Sequence, residues 1–177
     1  MNRILILKNM VKRIFTLVCA IVAISFSAIA QTANSSVRSS MQSMAERLDE
    51  KDGVECMVCV KGNGLEMMKL MMRKEMGKDF IKGVDMIVII NYSEAPSAKV
   101  TEIRNEIENI AKIELTQQEL PDDIKEGKYM RTYFREGDDG KSIHDMIIIA
   151  EDESEKESSK IIMYFGGVMR DEPKTMK

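Results

Sequence analysis

The segment from Val84 to Ile90 constrains the fold more than any other part of this chain. It reads Val-Asp-Met-Ile-Val-Ile-Ile, a nearly continuous apolar run rich in β-branched residues. A strand with one solvated face alternates apolar and polar residues, whereas a continuous apolar run is typical of a strand that is covered on both faces. We therefore expect a central strand here.

Two helices are expected to flank the first strand candidate, Val54 to Val60. Before it, apolar residues at helical spacing predict a short helix that ends at Asp52-Gly53; these residues are Met41, Met44 and Leu48. After it, the sequence predicts a helix from Leu65 to Met76 that Gly77 terminates. Asn63 and Glu66 are its expected capping pair.

A third helix is expected after Pro96, which suits a helix N-terminus. Its apolar face recurs at spacings of three, four and three and consists of Val100, Ile103, Ile107 and Ile110. Its other face is expected to be an ordinary solvated surface, made of Glu102, Arg104, Glu106, Glu108 and Lys112.

Three further strands are predicted after the polar connection at Pro121-Asp122-Asp123. They are Tyr129 to Arg135, Ile143 to Ala150 and Lys160 to Phe165, with a hairpin turn at Asp138-Asp139-Gly140. The expected fold is α+β, a two-layer sandwich with a mixed sheet of about five strands. It is a β-α-β-α unit followed by an antiparallel β-β-β meander, with the helices on one face. One domain is expected over residues 41–169, with a flexible lead at 31–40 and a frayed tail at 170–177.

Residues 1–30 are predicted to be a signal peptide. A basic start at Lys8, Lys12 and Arg13 precedes the apolar run Ile14 to Phe26, and Ala28-Ile29-Ala30 offers a cleavage pattern. A membrane anchor, a lipoprotein cut before Cys19, and translation from Met10 remain the alternatives. We expect export to the periplasm or to the outer envelope and beyond, with no integral membrane insertion after cleavage.

Cleavage would change the charge of the chain. It removes four basic residues and no acidic one, so the formal net charge falls from −3 to −7. An acidic mature chain lacks the cationic footprint needed for a nucleic-acid or anionic-lipid partner. The expected partner is an unknown envelope protein.

The sulfur-bearing residues offer the most tempting chemistry. Cys56 and Cys59 form a C-x-x-C pair, yet in a strand their side chains point to opposite faces and their Cα atoms lie about 10 Å apart, beyond disulfide reach. Sixteen methionines, five of them between Met67 and Met76, could bind Cu(I). We expect structural thiols and a methionine-rich core face instead, made of Leu65, Met68, Met72 and Met76.

No catalytic or ligand-binding motif is found in the sequence. His144 is the only histidine, and no hydrolase or zinc signature surrounds it, so a structural histidine is expected. Gly62-Asn63-Gly64 lacks the remaining residues of a phosphate-binding loop, and the segment from Asp49 to Gly53 lacks the oxygen spacing of a calcium loop.

The order of elements also resembles a known family. The carrying features are Gly53-Val54-Glu55 at the start of a strand, the methionine-rich helix, and the closing segments Tyr-Met-Arg-Thr-Tyr-Phe-Arg-Glu, Ile-His-Asp-Met-Ile-Ile-Ile-Ala-Glu-Asp and Ile-Ile-Met-Tyr-Phe-Gly-Gly. Together, from about Met44 to Val168, they resemble the domain of unknown function of small exported Bacteroidetes proteins. The resemblance implies an envelope location and a shared fold, and no activity or binding residue.

The sequence therefore predicts a non-enzymatic exported domain that binds another envelope component, without catalytic, cofactor or metal residues. The alternative is a Met/Cys-based Cu(I) or thiol-redox protein of the envelope, and an enzyme is the third hypothesis.

Overall fold

The computed structural model of this protein describes residues 36–48, 52–118, 128–152 and 159–170. Within these residues the chain forms helices and strands in an α+β arrangement, which confirms the predicted class. In chain order the elements are α1 (Ser36–Leu48), β1 (Glu55–Val60), α2 (Gly62–Met76), α3 (Lys78–Lys82), β2 (Val84–Asn91), α4 (Ser97–Glu114), β3 (Thr116–Gln118), β4 (Lys128–Glu136), β5 (Ser142–Asp152) and β6 (Ser159–Arg170).

Strand β2 lies inside the sheet and contributes to two separate cores. Met86, Val88 and Ile90 pack with α1 and α4 in the first core. Ile87 and Ile89 pack with α2 and α3 in the second core. Because successive side chains of a strand point to opposite faces, the two cores lie on opposite faces of the sheet.

The helices therefore cover both faces, and the predicted two-layer sandwich with helices on one face is wrong. A single helical layer would leave one side of β2 in water, at a cost of roughly 1.5–3 kcal/mol for each large apolar side chain. The central, doubly covered position that the sequence of β2 indicates is confirmed.

The sheet is antiparallel throughout the described residues, in the order β1-β2-β6-β5-β4-β3. The predicted mixed sheet would need at least one parallel pair of strands, joined by a crossover connection. Instead, Gly77 at φ 87° divides the first connection into two helices. Strand β2 then starts beside the end of β1, where Met86 is the partner of Val60, so the two strands run antiparallel. The mixed sheet is wrong, and the predicted β4-β5-β6 meander is confirmed.

The sheet has six strands and not about five. The additional strand, β3, is Thr116–Gln118, which pairs with β4 at the edge of the sheet. Three polar residues carry no apolar alternation, so the sequence offered no sign of a strand there.

Residues 36–40, predicted to be part of a flexible lead, form the start of α1. Val37 is completely buried and continues the stripe of Met41, Met44 and Leu48 towards the N-terminus. At the other end, β6 continues to Arg170, which was expected to begin the frayed tail. The predicted signal peptide, Cys19, residues 31–35, 49–51 and 121–123, and the tail after Arg170 lie outside the described residues.

Helix α2 begins at Gly62, three residues before the predicted start, and no side chain caps it. Asn63 and Glu66, the expected capping pair, lie inside the helix, so this prediction is wrong. Gly77 ends α2 as predicted, and Pro96 directly precedes α4. Within the described ranges, no helix has the length and apolar character needed to span a bilayer.

The extension of α1 can be tested by replacing Val37 with Ala. Because this side chain is completely buried, we expect the variant to lose about 1–3 kcal/mol of unfolding free energy in urea titrations. Ser43→Ala, at an exposed position of the same helix, should change it by less than about 0.5 kcal/mol. Equal stabilities for the two variants would show that residues 36–40 are a lead after all.

Candidate functional site

The surroundings of His144 are those of a turn. Its Nε2 atom lies 3.2 Å from the hydroxyl oxygen of Ser142, and that hydroxyl donates a 2.6 Å hydrogen bond to Asp139. A catalytic triad runs from serine to histidine to aspartate, whereas this serine bonds the aspartate directly. Ser142 is 2% exposed, and a Cβ added at Gly137 would lie 2.1 Å from its Oγ. The chain therefore covers the hydroxyl that lies beside His144 in the described residues.

Asp139 is the acceptor that organises this turn between β4 and β5. Besides the Ser142 hydroxyl, the backbone amides of Lys141 and Ser142 donate to it at 3.0 and 2.8 Å. These donors, the hydroxyl first, lower the pKa of Asp139 to about 2. A carboxylate with so low a pKa is a weak general base at neutral pH.

The two described cysteines lie on opposite faces of β1, as predicted. Cys56 pairs with Ile90 and packs against the first core, whereas Cys59 pairs with Ile87 and packs against the second. Within the described residues, neither cysteine forms a disulfide bond. Burial raises the pKa of Cys59, which is the opposite of the shift found in reactive cysteines.

The methionines of α2 divide between the interior and the surface. Met68 and Met72 are buried in the second core, and Met76 is half-buried against it, which confirms the predicted core face. Met67 and Met71 are exposed. Among the described residues, histidine, cysteine and carboxylate side chains form no group of three that could hold a metal ion.

A cationic cavity of about 460 Å³ lies between α2 and α3. Four basic residues, one carboxylate and two apolar residues line it: Lys69, Arg73, Lys78, Lys82, Glu66, Leu70 and Ile81. The sharp turn at Gly77 places the two helices side by side. Lys69 and Arg73 lie four residues apart on α2, and Lys78 and Lys82 four apart on α3, so each helix turns a pair of cations to the same space.

One of these cations is fixed and the others are exposed. The Nζ atom of Lys69 lies 3.3 Å from a carboxylate oxygen of Glu66 and donates a 3.3 Å hydrogen bond to the carbonyl of Lys82. Arg73, Lys78 and Lys82 are exposed residues. The cavity therefore carries a net charge of about +3, in a chain whose net charge is −3.

A second polar cluster is structural, and the sequence analysis missed it. Arg104, expected on a solvated surface, donates from Nε at 2.6 Å to Glu151, whose side chain is only 1% exposed. The hydroxyl of Tyr92 donates to the same carboxylate at 2.6 Å. Burial, followed by this hydrogen bond, raises the pKa of Tyr92.

The same cluster continues to β4, where the guanidinium groups of Arg104 and Arg131 both lie over the ring of Tyr129. The centroid is 5.2 Å from the Arg104 carbon and 5.0 Å from that of Arg131, distances typical of cation–π contacts. Arg131 in turn bonds Glu108 at 2.5 Å. Arg104 and Glu108 thus bind α4 to the sheet, and the prediction of a purely solvated face is wrong.

Comparisons with known proteins found no matching family model, no matching curated protein and no matching solved structure. The family resemblance drawn from the sequence stays a prediction.

The role of the Asp139 turn can be tested by titration. We expect the carboxylate carbon of Asp139, followed by NMR, to titrate with a pKa of about 2, because the three donors of the turn stabilise the charged form. In Ser142→Ala the pKa should rise towards the ordinary value of about 3.9, because the strongest donor is lost. His144→Gln is the control, since His144 contacts the serine and not the aspartate. A large rise in His144→Gln would indicate a coupled triad instead of a turn.

Proposed function

We propose that this chain is an exported, non-enzymatic binding domain of the cell envelope, and that the α2–α3 cavity binds an acidic segment of another envelope protein. The carrying observation is the concentration of four cations around about 460 Å³ of space. Export rests on the predicted signal peptide, and the non-enzymatic character rests on the lack of a catalytic motif in the sequence.

The size and lining of the cavity favour a binding role. Ligand sites commonly occupy about 300–1,000 Å³ and combine apolar walls with a few convergent polar groups. Ile81 is buried at 3% exposure, whereas Leu70 is 68% exposed. These two residues give the cavity an apolar wall and an apolar rim beside the cations.

Its charge favours an acidic ligand. Among the side chains that the structure describes, none forms an ion pair with Arg73, Lys78 or Lys82. Clustered cations of one sign raise the local concentration of anions and accelerate their association. The cations of the cavity repel one another, although the chain as a whole is acidic. An acidic partner would reduce this repulsion.

The Met/Cys alternative has no comparable support. Cys56 and Cys59 lie on opposite faces of β1, and the methionines of α2 are split between the core and the surface. No observation in the described residues brings these sulfur atoms together, so we do not pursue a Cu(I) or redox function.

A direct test uses the mature chain and a fluorescein-labelled hexaglutamate peptide as the probe. We expect saturable binding by fluorescence anisotropy, which weakens as salt is raised, because exposed charges are screened. The double variant Lys78→Glu/Lys82→Glu should lose at least about tenfold in affinity, since it reverses two of the cavity's charges.

The matched comparison uses single charge reversals. Lys112→Glu lies on α4, where the side chain is 69% exposed, and Lys82→Glu lies in the cavity. Lys112→Glu should bind the peptide within about twofold of the unmodified chain, whereas Lys82→Glu should bind at least about threefold more weakly, although both change the net charge equally. If the two single variants weaken binding equally, or if the unmodified chain does not bind, the cavity is not an acidic-peptide site.

A further inference from the structure

Strand β1 is an edge strand without the usual protection. It ends the sheet on one side and runs Glu-Cys-Met-Val-Cys-Val, so that its only charged residue is the first. Proteins generally guard such edges with lysine, proline, bulges or very short strands. At the opposite edge, β3 has only three residues, all polar. The two edges of this sheet are therefore built differently.

Apolar side chains are exposed on both faces of β1. Val58 and Val60 are 37% and 40% exposed, and they lie on the α1 face, because their partners Val88 and Met86 belong to the first core. Met57 is 39% exposed and lies on the α2 face. An exposed apolar edge of this kind is a site for strand addition.

Helix α2 extends the apolar surface beyond this edge. Met67 and Met71 are 62% and 51% exposed and lie four residues apart. They project from the side of α2 opposite Lys69 and Arg73, which face α3 and the cavity. Since α2 contacts β1 and β2 while α3 contacts β6 further into the sheet, the methionine side faces the β1 edge.

We propose that two copies of this chain associate through β1, antiparallel and about a two-fold axis at Val58, so that two six-stranded sheets form one continuous sheet. The backbone groups at the β1 edge would pair with those of the second copy, and the exposed valines and methionines of both copies would be buried together. A two-fold interface of this kind is self-complementary by symmetry.

Charge complementarity selects the second copy and this register. In the combined sheet, each face of one copy must continue into the same face of the other copy. Residues that lie opposite each other must therefore belong to the same face, and a register slip of one residue would exchange the faces. With Val58 at the axis, Met57 lies opposite Cys59 of the second copy. Lys61 directly follows β1, at φ 60°, where the chain leaves the strand. At both ends of the pair, Glu55 therefore lies beside the Lys61 that follows β1 of the second copy, and opposite charges placed across neighbouring strands stabilise pairing.

This inference goes beyond the proposed binding function and does not depend on it. The cavity opens on the α3 side of α2, away from the β1 edge, so a paired chain would keep two open cavities. A peptide of another protein adding to β1 is the competing occupant.

The first test is the oligomeric mass of the mature chain by sedimentation at about 100 μM. We expect a dimer, and we expect Val58→Lys to be a monomer with an unchanged circular dichroism spectrum, because it brings two ammonium groups together at the axis. Ile113→Lys, at a 62% exposed apolar position on α4, should remain dimeric. A monomeric unmodified chain, or a dimer that survives Val58→Lys, would overturn the proposal.

The second test examines the register by charge exchange and does not depend on the Val58 variant. Glu55→Lys and Lys61→Glu should each raise the dimer dissociation constant by about three- to tenfold, since each creates two like-charged pairs. The double variant Glu55→Lys/Lys61→Glu should return to within about threefold of the original value. Additive weakening in the double variant would exclude this pairing, as would a monomer that binds only extended peptides of other proteins.

Discussion

Burial of the central strands on both faces is the constraint on which the rest of the structure depends. Residues 86–90 of β2 and 161–165 of β6 are all buried, so neither face of the sheet tolerates water there. Each helix of the two layers must therefore turn its apolar stripe inwards. Helix α2 does so with Leu65, Met68 and Met72, and this orientation decides what its other sides present.

The surface of α2 follows from that orientation. One flank carries Lys69 and Arg73 towards α3 and forms the cationic cavity, whereas the other carries Met67 and Met71 towards the β1 edge. Both surfaces thus belong to a helix whose position is set by core packing. Packing already fixes the backbone of this helix, so a partner that binds either flank would have to order only side chains.

Two buried carboxylates of β5 link this strand to α4 and to its neighbouring strands. Glu151 accepts hydrogen bonds from Arg104 and Tyr92, and Asp145 accepts one from the Tyr164 hydroxyl at 2.5 Å and pairs with Arg135. A buried carboxylate is costly unless it is paired and hydrogen-bonded. These networks fix the register of β5 against α4, β4 and β6.

The sequence predicted those features that depend on local pattern and missed those that depend on contacts between distant residues. The strands at Val54–Val60 and Val84–Ile90 and the helix after Pro96 follow from periodicity and turn residues. Periodicity could not reveal that Arg104 meets Glu151, 47 positions later in the chain. Likewise, the cavity forms only because the turn at Gly77 brings Lys69 of α2 close to Lys82 of α3. No sequence motif predicts such a cavity.

Two predictions fell short of the structure. The last strand was predicted to end at Phe165, yet β6 continues to Arg170, with Gly167 at φ 122° in an irregular pairing opposite Val84. The continuous apolar run of β2 already indicated that both faces of this strand are covered, whereas the predicted two-layer sandwich has helices on only one face of the sheet. The strand pattern was the better guide because it reports directly which side chains must avoid water.

Native-state hydrogen exchange tests the double-sided burial of the sheet most directly. The amide hydrogens of β2, β5 and β6 should exchange only through global unfolding. Their free energies of opening should be equal and should match the free energy of unfolding obtained from denaturant titration. If the amides of β2 exchange through a much cheaper local opening, with β5 and β6 still protected, then α2 and α3 do not cover the second face and the account is wrong.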